Sequence, residues 1–433
     1  MNSIWTENIK APHFQKLNKD IKTDVLIIGG GMCGLLCAYM LKKANIDYVL
    51  VEADRICGGI TKNTTAKLTV QHSLIFDKLI KRFGQDFAQA YLNANQSALK
   101  EYDILCKNID CDYKKKDSFV YSIKKDLKSL EKEMEALDKI GCDAEFSSAL
   151  SLPFSVTGAI KIPNQAQFHP LKFAYAIAKD LNIFENTKVL ELAPNLAITN
   201  GGNISAKKII VTTHFPFINK HGLYFIKMYQ SRSYVLGLKN AAVLDGMFID
   251  ESEKGLSFRN FGDVLLLGGG SHRTGKKSKG WQELEEFARK YYPQSEPIYR
   301  WATQDCMTLD GVPYIGKYSK CSNDLYVATG FNKWGMTSSM VAAKLLVDMM
   351  LDKKSPYTEV FSPSRSIIRP QLAINVCETV INQLTPTVPR CPHLGCALKY
   401  NPYERSWDCP CHGSRFTEDK KLIDNPATDD MKK

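Results

Sequence analysis

The run Asp24-Val-Leu-Ile-Ile28 is of strand length and almost wholly apolar, and it gives way at once to Gly29-Gly-Gly31-Met-Cys-Gly34. Leu35, Cys37, Ala38, Met40 and Leu41 then recur at helical spacing. A strand, a glycine turn and a helix in that order constrain the fold more than any other stretch. Gly29 permits the tight turn, Gly31 lets a pyrophosphate approach the backbone, and Gly34 lets the helix pack on the strand with its N-terminus facing the phosphates. A second strand, "DYVLVEAD", ends in Glu52, 18 residues after Gly34, where a carboxylate can accept ribose hydroxyls. This is the context of dinucleotide binding.

At 433 residues, 44% apolar and 24% charged, the chain can build two or three domains with real cores. The net charge of +11 comes mostly from scattered lysines. The clusters Lys114-Lys115-Lys116 and Lys276-Lys277-Ser-Lys279 read as solvated loops, so no nucleic-acid partner is expected. Glu7, Lys10, Lys16 and Asp20 precede any apolar run, which argues against a secretory signal and for a mature chain starting near Met1. Val25–Leu41 is uncharged for 17 residues, short of the ~20 a membrane span needs, and four glycines interrupt it, so no transmembrane segment is expected. Thirteen cysteines without an export signal point to a reducing, cytoplasmic location, and nine of them are scattered singly as small apolar residues.

The remaining four cluster in the tail, in Cys391-Pro-His-Leu-Gly-Cys396 and Cys409-Pro-Cys-His-Gly-Ser414. Zinc is the obvious competitor for such a cluster, but Cys391-x-His393 is tighter than the two to four residues that usually separate paired zinc ligands. Taken as Cys-x-His, 15 residues, then Cys-x-x-His, the pattern resembles a Rieske [2Fe–2S] centre. The resemblance implies that Cys391 and Cys409 hold one iron, that His393 and His412 hold the other, and that Cys396 and Cys411 form a disulfide tying the two loops together. It also implies a serine hydroxyl at Ser414 donating to a cluster sulfur. Phe416 stands where the family has a second donor, a tyrosine, and Asn425 in "NPATDD" stands where it has glycine. Only about 25 residues separate "FSPSR" at 361–365 from the first ligand loop, so the base of this module is shortened, leaving residues 366–390 to dock the loops against the rest of the chain.

Near residue 330, "DLYVATGFNKWGMTSSMVAAKLLVDMML" reads as a strand, Gly330, a short loop with Gly335, and a helix whose N-terminus can stabilise negative charge on a reduced flavin. With the opening glycines, Glu52, "NTKVLEL", "IIVTTHFP" and "RWATQDCMTLDGVPYIG", residues 21–365 resemble the D-amino-acid oxidase/glycine oxidase class of FAD-dependent oxidoreductases. The fold this implies is α/β, α+β overall: a Rossmann-like FAD-binding domain (21–75, 161–215 and 301–365) with an inserted mixed-sheet substrate domain (76–160 and 216–300). A linker over 366–387 then leads to a small all-β Rieske-type module over 388–433. By position, Gly29, Gly31, Gly34 and Glu52 hold the adenosine diphosphate half of non-covalent FAD, Val189 flanks the adenine, and Gly330, Gly335 and Met336 approach the isoalloxazine. Within the insertion, 76–108 and 124–140 have helical spacing, and "DSFVYSI", "SRSYVLGL" and "DVLLLGGG" read as strands.

The class also sets expectations for chemistry. Arg259, His272 and Arg273 are the substrate-binding candidates, an arginine there being able to hold a carboxylate bidentately, while His72, His169 and His214 read as structural. No protein acid or base is assigned, because the cofactor carries the hard step when the donor is a neutral amine. A second nucleotide site has one candidate, Gly268-Gly-Gly270, which lacks a third glycine and an apolar helix and reads as the end of a strand. The implied activity is oxidation of a small amine or amino acid, with electrons leaving the flavin through the [2Fe–2S] centre to a one-electron acceptor, protein or small carrier. The alternatives are an NAD(P)H-fed flavin reductase, or a flavin-bearing binding or redox-sensor protein with a structural metal tail.

Overall fold

The computed structural model describes residues 3–218, 222–386 and 389–432. Strand Ile21–Ile28 lies between Tyr48–Val51 and Asn203–Val211, all parallel, and Leu325–Thr329 continues the sheet beyond Asn203–Val211. Both faces of this sheet are covered, so its strands are apolar at consecutive positions instead of alternating. Val25 and Ile27 face the helices Met32–Lys43 and Gly335–Met350, while Leu26, Ile28 and Val211 turn to a second apolar cluster on the other side.

A nine-stranded mixed sheet makes up most of the second layer, in the order Glu296–Thr308, Met228–Lys239, Val264–Arg273, Ser257–Phe261, Met247–Asp250, Lys114–Ser122, Gly158–Gln167 and Lys67–Leu68, with Glu145–Ser147 pairing Gly158–Gln167. The boundaries expected at 160/161 and 300/301 fall inside Gly158–Gln167 and Glu296–Thr308. An apolar pattern marks where a strand runs but not which sheet it joins. Gly268–Gly270 lies within Val264–Arg273, short of the strand's end. Crowding explains the glycines: a Cβ on Gly268 would stand 2.7 Å from Ser257 Oγ, and one on Gly269 2.6 Å from Leu256 Cδ2. Lys114–Lys116, expected in a loop, open the strand Lys114–Ser122, with Lys114 and Lys115 exposed. The helices Phe76–Phe83, Gln85–Cys106 and Lys128–Lys139 pack beside this sheet and the helix Gly335–Met350. Among the described residues no helix is long and apolar enough to cross a membrane.

The tail forms a four-stranded antiparallel sheet of Lys399–Asn401, Ser406–Asp408, Arg415–Thr417 and Leu422–Asp424. The stretch 366–387, expected as a linker, contains the helix Pro370–Leu384, with proline at the first position, where its missing N–H is harmless. The 387/388 boundary itself lies outside the described residues. This helix turns its polar side inward: Asn375 and Asn382 are buried, whereas Ile374, Val380, Ile381 and Leu384 are exposed. The Asn375 amide donates to Ile226 O at 3.1 Å and accepts from Arg273 at 2.8 Å, Lys276 pairs with Glu378 at 2.6 Å, and Ala397 N–H donates to Asn382 O at 2.9 Å. The helix is thus wedged between the large sheet and the tail, where the shortened module lacks strands of its own.

A buried ionic cluster completes the contact. Arg232 on Met228–Lys239 donates from Nε to Glu404 Oε1 at 2.9 Å, and Arg415 reaches Glu404 at 2.9 Å, Asp408 at 3.0 Å and Asp424 at 3.1 Å. Burial disfavours the Glu404 carboxylate, but Arg232 and Arg415 outweigh it and hold its pKa down to about 2. Because that lies below the ordinary ~4.3, the stabilisation is present at neutral pH and is lost as pH falls from ~4.3 towards the folded value. Arg232→Leu leaves buried carboxylates short of a cation, a change that costs roughly 3–5 kcal/mol. The expected outcome is that the tail becomes protease-sensitive and melts ahead of the remainder in this variant at neutral pH, and in the parent chain below about pH 4. A single, unshifted melting transition in Arg232→Leu would contradict the assigned role.

Candidate flavin cavity and iron–sulfur site

A cavity of about 920 Å³ opens where the two sheets face each other, lined at one end by Gly29, Gly31, Glu52 and Val189 and further along by Gly330, Gly335 and Met336. The glycine turn is forced by close approach. Gly29 has φ +111° with Thr212 O 2.8 Å from a would-be Cβ, and a Cβ on Gly34 would stand 1.9 Å from Gly29 O. Gly34 therefore lies behind the cavity wall and sets the contact between helix and strand. Gly31 has open space, its nearest neighbour being Thr61 Oγ1 at 3.4 Å from a would-be Cβ. Glu52 accepts Gly30 N–H at 2.7 Å and Asp54 N–H at 3.0 Å, which fixes its carboxylate at the rim. Burial nevertheless raises its pKa, against the pull of those two bonds.

The three candidates for holding a substrate do not line this cavity. Arg259 is fully buried, donating from one guanidinium nitrogen to Thr65 O at 2.8 Å and Ala66 O at 2.7 Å, with its guanidinium 5.2 Å from the Trp5 ring. His272 bonds through Nδ1 to Gly270 O at 3.0 Å and stacks on Tyr234. Arg273 reaches the tail, donating to Pro410 O and Cys411 O at 2.9 Å each. Strand alternation accounts for His272, since on Val264–Arg273 it is Ser271 that turns to the cavity, whereas Arg259 and Arg273 are drawn aside by their carbonyl partners.

His72, a cavity-lining residue, is tied to Tyr91 Oη at 2.6 Å and Thr69 O at 2.9 Å, and burial pushes its pKa down to about 3, keeping it neutral. His169 caps the helix Pro170–Ala178, accepting from Lys172 N–H at 3.2 Å. His214 also lines the cavity, and burial lowers its pKa. Residues overlooked in the sequence are Ser233, Ser271, Asp305 and Lys333, all lining the cavity. An aspartate inside the strand "RWATQDCMT" is the signal that could have pointed to them.

In the tail, two tight loops bring the ligand candidates together. Gly395 N–H bonds to Cys391 O and Gly413 N–H to Cys409 O, each at 2.9 Å, with Gly395 at φ +75° and Gly413 at φ +88°. A Cβ on Gly413 would stand 2.5 Å from Gln230 Cβ, so glycine is required where the second loop meets the large sheet. The Cys391 and Cys409 thiols are buried, and Cys409 is the main neighbour that lowers the Cys391 pKa, to about 7. The His393 and His412 rings lie 4.9 Å apart. Among the described residues neither ring nitrogen of buried His412 has a hydrogen-bond partner, and burial holds its pKa down to about 3, so a neutral imidazole is available for a metal. Cys396 and Cys411 are joined in a disulfide between the loops. The Cys396, Cys409 and Cys411 sulfurs lie within 4.8 Å of one another, but two of them are spent in that bond and offer no thiolate. Two thiols and two imidazoles on facing loops are the donor set of a Rieske [2Fe–2S] centre, and the Cys391-x-His393 spacing, tighter than paired zinc ligands usually have, separates it from a Cys2His2 zinc site.

Residues 24–349 match the FAD dependent oxidoreductase family, and residues 365–433 match the Rieske [2Fe-2S] domain. The chain belongs to the FAD-dependent oxidoreductases and carries a C-terminal Rieske domain. It binds FAD and a [2Fe–2S] cluster. It is 33% identical to YhfW of Bacillus subtilis, a protein named for a Rieske 2Fe-2S iron–sulfur centre, over 99% of this chain and 97% of that one. It is 26% identical to the gamma-glutamylputrescine oxidoreductase of Escherichia coli over 79% of this chain and 87% of that one. The fold is similar to that of glycine oxidase from Geobacillus kaustophilus, with a TM-score of 0.67 at 19% identity, over 80% of this oxidoreductase and 99% of that chain.

The surroundings of the cluster residues bear on redox tuning. Ser414 Oγ accepts Ala427 N–H at 3.0 Å and, after Cys409, is among the side chains that lower the Cys391 thiol pKa, whereas Phe416 is fully buried among the cysteines with no hydroxyl to offer. Hydrogen bonds to cluster sulfurs favour the more negative reduced state. A bond to a charged acceptor is worth ~1.5 kcal/mol, and ~1.4 kcal/mol corresponds to ~59 mV for one electron. Ser414→Ala should lower the midpoint potential, and Phe416→Tyr raise it, by some tens of millivolts on that scale. Protein-film voltammetry on variants with intact electron paramagnetic resonance signals checks both shifts, and two unchanged potentials would contradict the geometry.

Proposed function

We propose that this oxidoreductase oxidises a small amine or amino acid and sends the electrons through its own Rieske centre to a one-electron acceptor. FAD takes two electrons as hydride, and a [2Fe–2S] centre passes them on singly. In this reading Gly29, Gly31, Glu52 and Val189 hold the adenosine end, and Gly34 acts behind them by letting the helix pack on the strand. Gly330, Gly335 and Met336 lie by the ring, and the helix Gly335–Met350 offers its N-terminus to the negative charge of the reduced cofactor. Cys391 and Cys409 hold one iron; His393 and His412 hold the other. The amine or amino-acid part of the reading draws on the relatives' chemistry.

The observation that carries the reading is that one pair of strands serves both sites. Gln230 Nε2 donates to His412 O at 3.0 Å, and Gln304 Nε2 donates to Gly413 O at 2.9 Å. Their strand neighbours Tyr229, Thr303 and Asp305 line the cavity, as do Asp424, Asn425 and Thr428 from the tail. An electron leaving the cavity therefore meets the His412 loop across a single layer of the sheet.

The test is turnover with a panel of amines and amino acids, using oxygen or a one-electron dye as acceptor, in parent and His412→Ala proteins. The parent is expected to favour the dye. His412→Ala should keep anaerobic flavin bleaching but lose dye turnover by at least the roughly 10–100-fold that even outer-shell changes at metal sites cost. Dye turnover undiminished in His412→Ala, or bleaching by NADH with no response to the panel, would refute the proposal.

A further inference from the structure

Among the charged side chains that line the cavity, Asp305 and Lys333 are opposite in sign, and among the described residues neither has a partner of opposite sign in direct contact. Asp305 projects from Glu296–Thr308, opposite Ser231 in the register, between Thr303 and Met307 on the cavity face. Among the described residues its carboxylate makes no hydrogen bond, and it couples to Lys333 and Arg232 only at longer range. Arg232 is already committed to Glu404. Lys333 comes from the loop between Leu325–Thr329 and Gly335–Met350, where Asn332 and Lys333 adopt φ of +49° and +71°. The loop is pinned there by Thr308 N–H donating to Asn332 Oδ1 at 2.8 Å. Lys333 Nζ donates to Ser271 Oγ at 2.8 Å, and Ser271 Oγ lies 2.9 Å from Ser233 Oγ. Both side chains are half-buried in the cavity wall, and partial loss of water lowers the Lys333 pKa and pushes that of Asp305 up to about 6.

Withdrawing a charge even partly from water without a counter-ion costs free energy, and a cavity that keeps two such charges apart has room for a ligand that supplies both partners. We infer that Asp305 receives the ammonium group, and Lys333 with Ser271 the carboxylate, of an amino-acid substrate. This rests on the proposed function and narrows it: a simple amine would satisfy Asp305 and leave Lys333 unpaired. It also reassigns carboxylate recognition from the arginines Arg259 and Arg273: neither lines the cavity, Arg259 is buried with Nη1 on two backbone carbonyls, and Arg273 is committed to Pro410 O, Cys411 O and Asn375. Glu253, which faces Lys333 from the loop after Met247–Asp250, lines the same cavity and adds a distant negative charge.

The test uses the FAD-loaded full chain under argon and matched probes: glycine with methylamine, L-proline with pyrrolidine, and L-phenylalanine with phenethylamine. Binding is read from the perturbation of the flavin spectrum, and reaction separately from its bleaching. At least one amino acid is expected to bind at least tenfold more tightly than its matched amine. Lys333→Met should abolish that preference and Lys333→Arg should retain it. Asp305→Asn should weaken the amino acid at least tenfold, with FAD content and melting temperature unchanged. Equal binding within every pair, no binding by any amino acid, or a preference that survives Lys333→Met overturns the inference. Bleaching by an amine in that event leaves the oxidoreductase reading standing, so the two failures are distinct.

Discussion

The organisation of this protein depends on a cluster of buried charges at the junction of its two parts. Arg232 belongs to the large sheet, and Glu404, Asp408, Arg415 and Asp424 to the tail. Removing such groups from water costs several kcal/mol per ion unless every donor and acceptor is met. Here Arg415 alone bonds to three carboxylates and Ser406. The cluster can be satisfied in one relative placement of the two parts, so it acts as a registration device more than as a source of stability. With Gln230, Gln304 and Arg273 holding the loop backbone, it fixes His412 against the sheet.

That fixed placement bears on how a short Rieske module keeps its site. Its own apolar cluster is small: the four loop cysteines with Leu398, Phe416, Ala427 and Met431, and Trp407 and Leu422 at the edge. The helix Pro370–Leu384 and the strands Met228–Lys239 and Glu296–Thr308 supply the remaining cover through polar bonds, the inward Asn375 and Asn382 among them. A module borrowing its base in this way gains a preformed junction at the expense of independence. The arrangement suits a donor and acceptor that stay together through turnover.

Much of this is legible in the sequence wherever the chemistry is local. The turn from Gly29 to Gly34 and the loops around Cys391 and Cys409 announce themselves because neighbours in the chain are neighbours in the site. The substrate face is not legible in that way. Ser233, Ser271, Asp305 and Lys333 come from four separated segments, and which of His272 and Ser271 faces the cavity is decided by strand register. Arg259 and Arg273 look like carboxylate binders until their carbonyl partners are seen. The helix Pro370–Leu384 escapes notice for a related reason: its buried face is polar, so a search for an apolar stripe finds its outward side.

The central claim is that electrons pass from flavin to cluster within one chain, across a junction already assembled. Rapid freeze-quench electron paramagnetic resonance after anaerobic mixing with a reducing substrate, repeated over a wide range of protein concentrations, tests it most directly. The cluster signal is expected to grow after flavin reduction with a first-order rate that does not depend on protein concentration. A rate that rises in proportion to concentration, or a cluster that stays oxidised beside a reduced flavin, would contradict it.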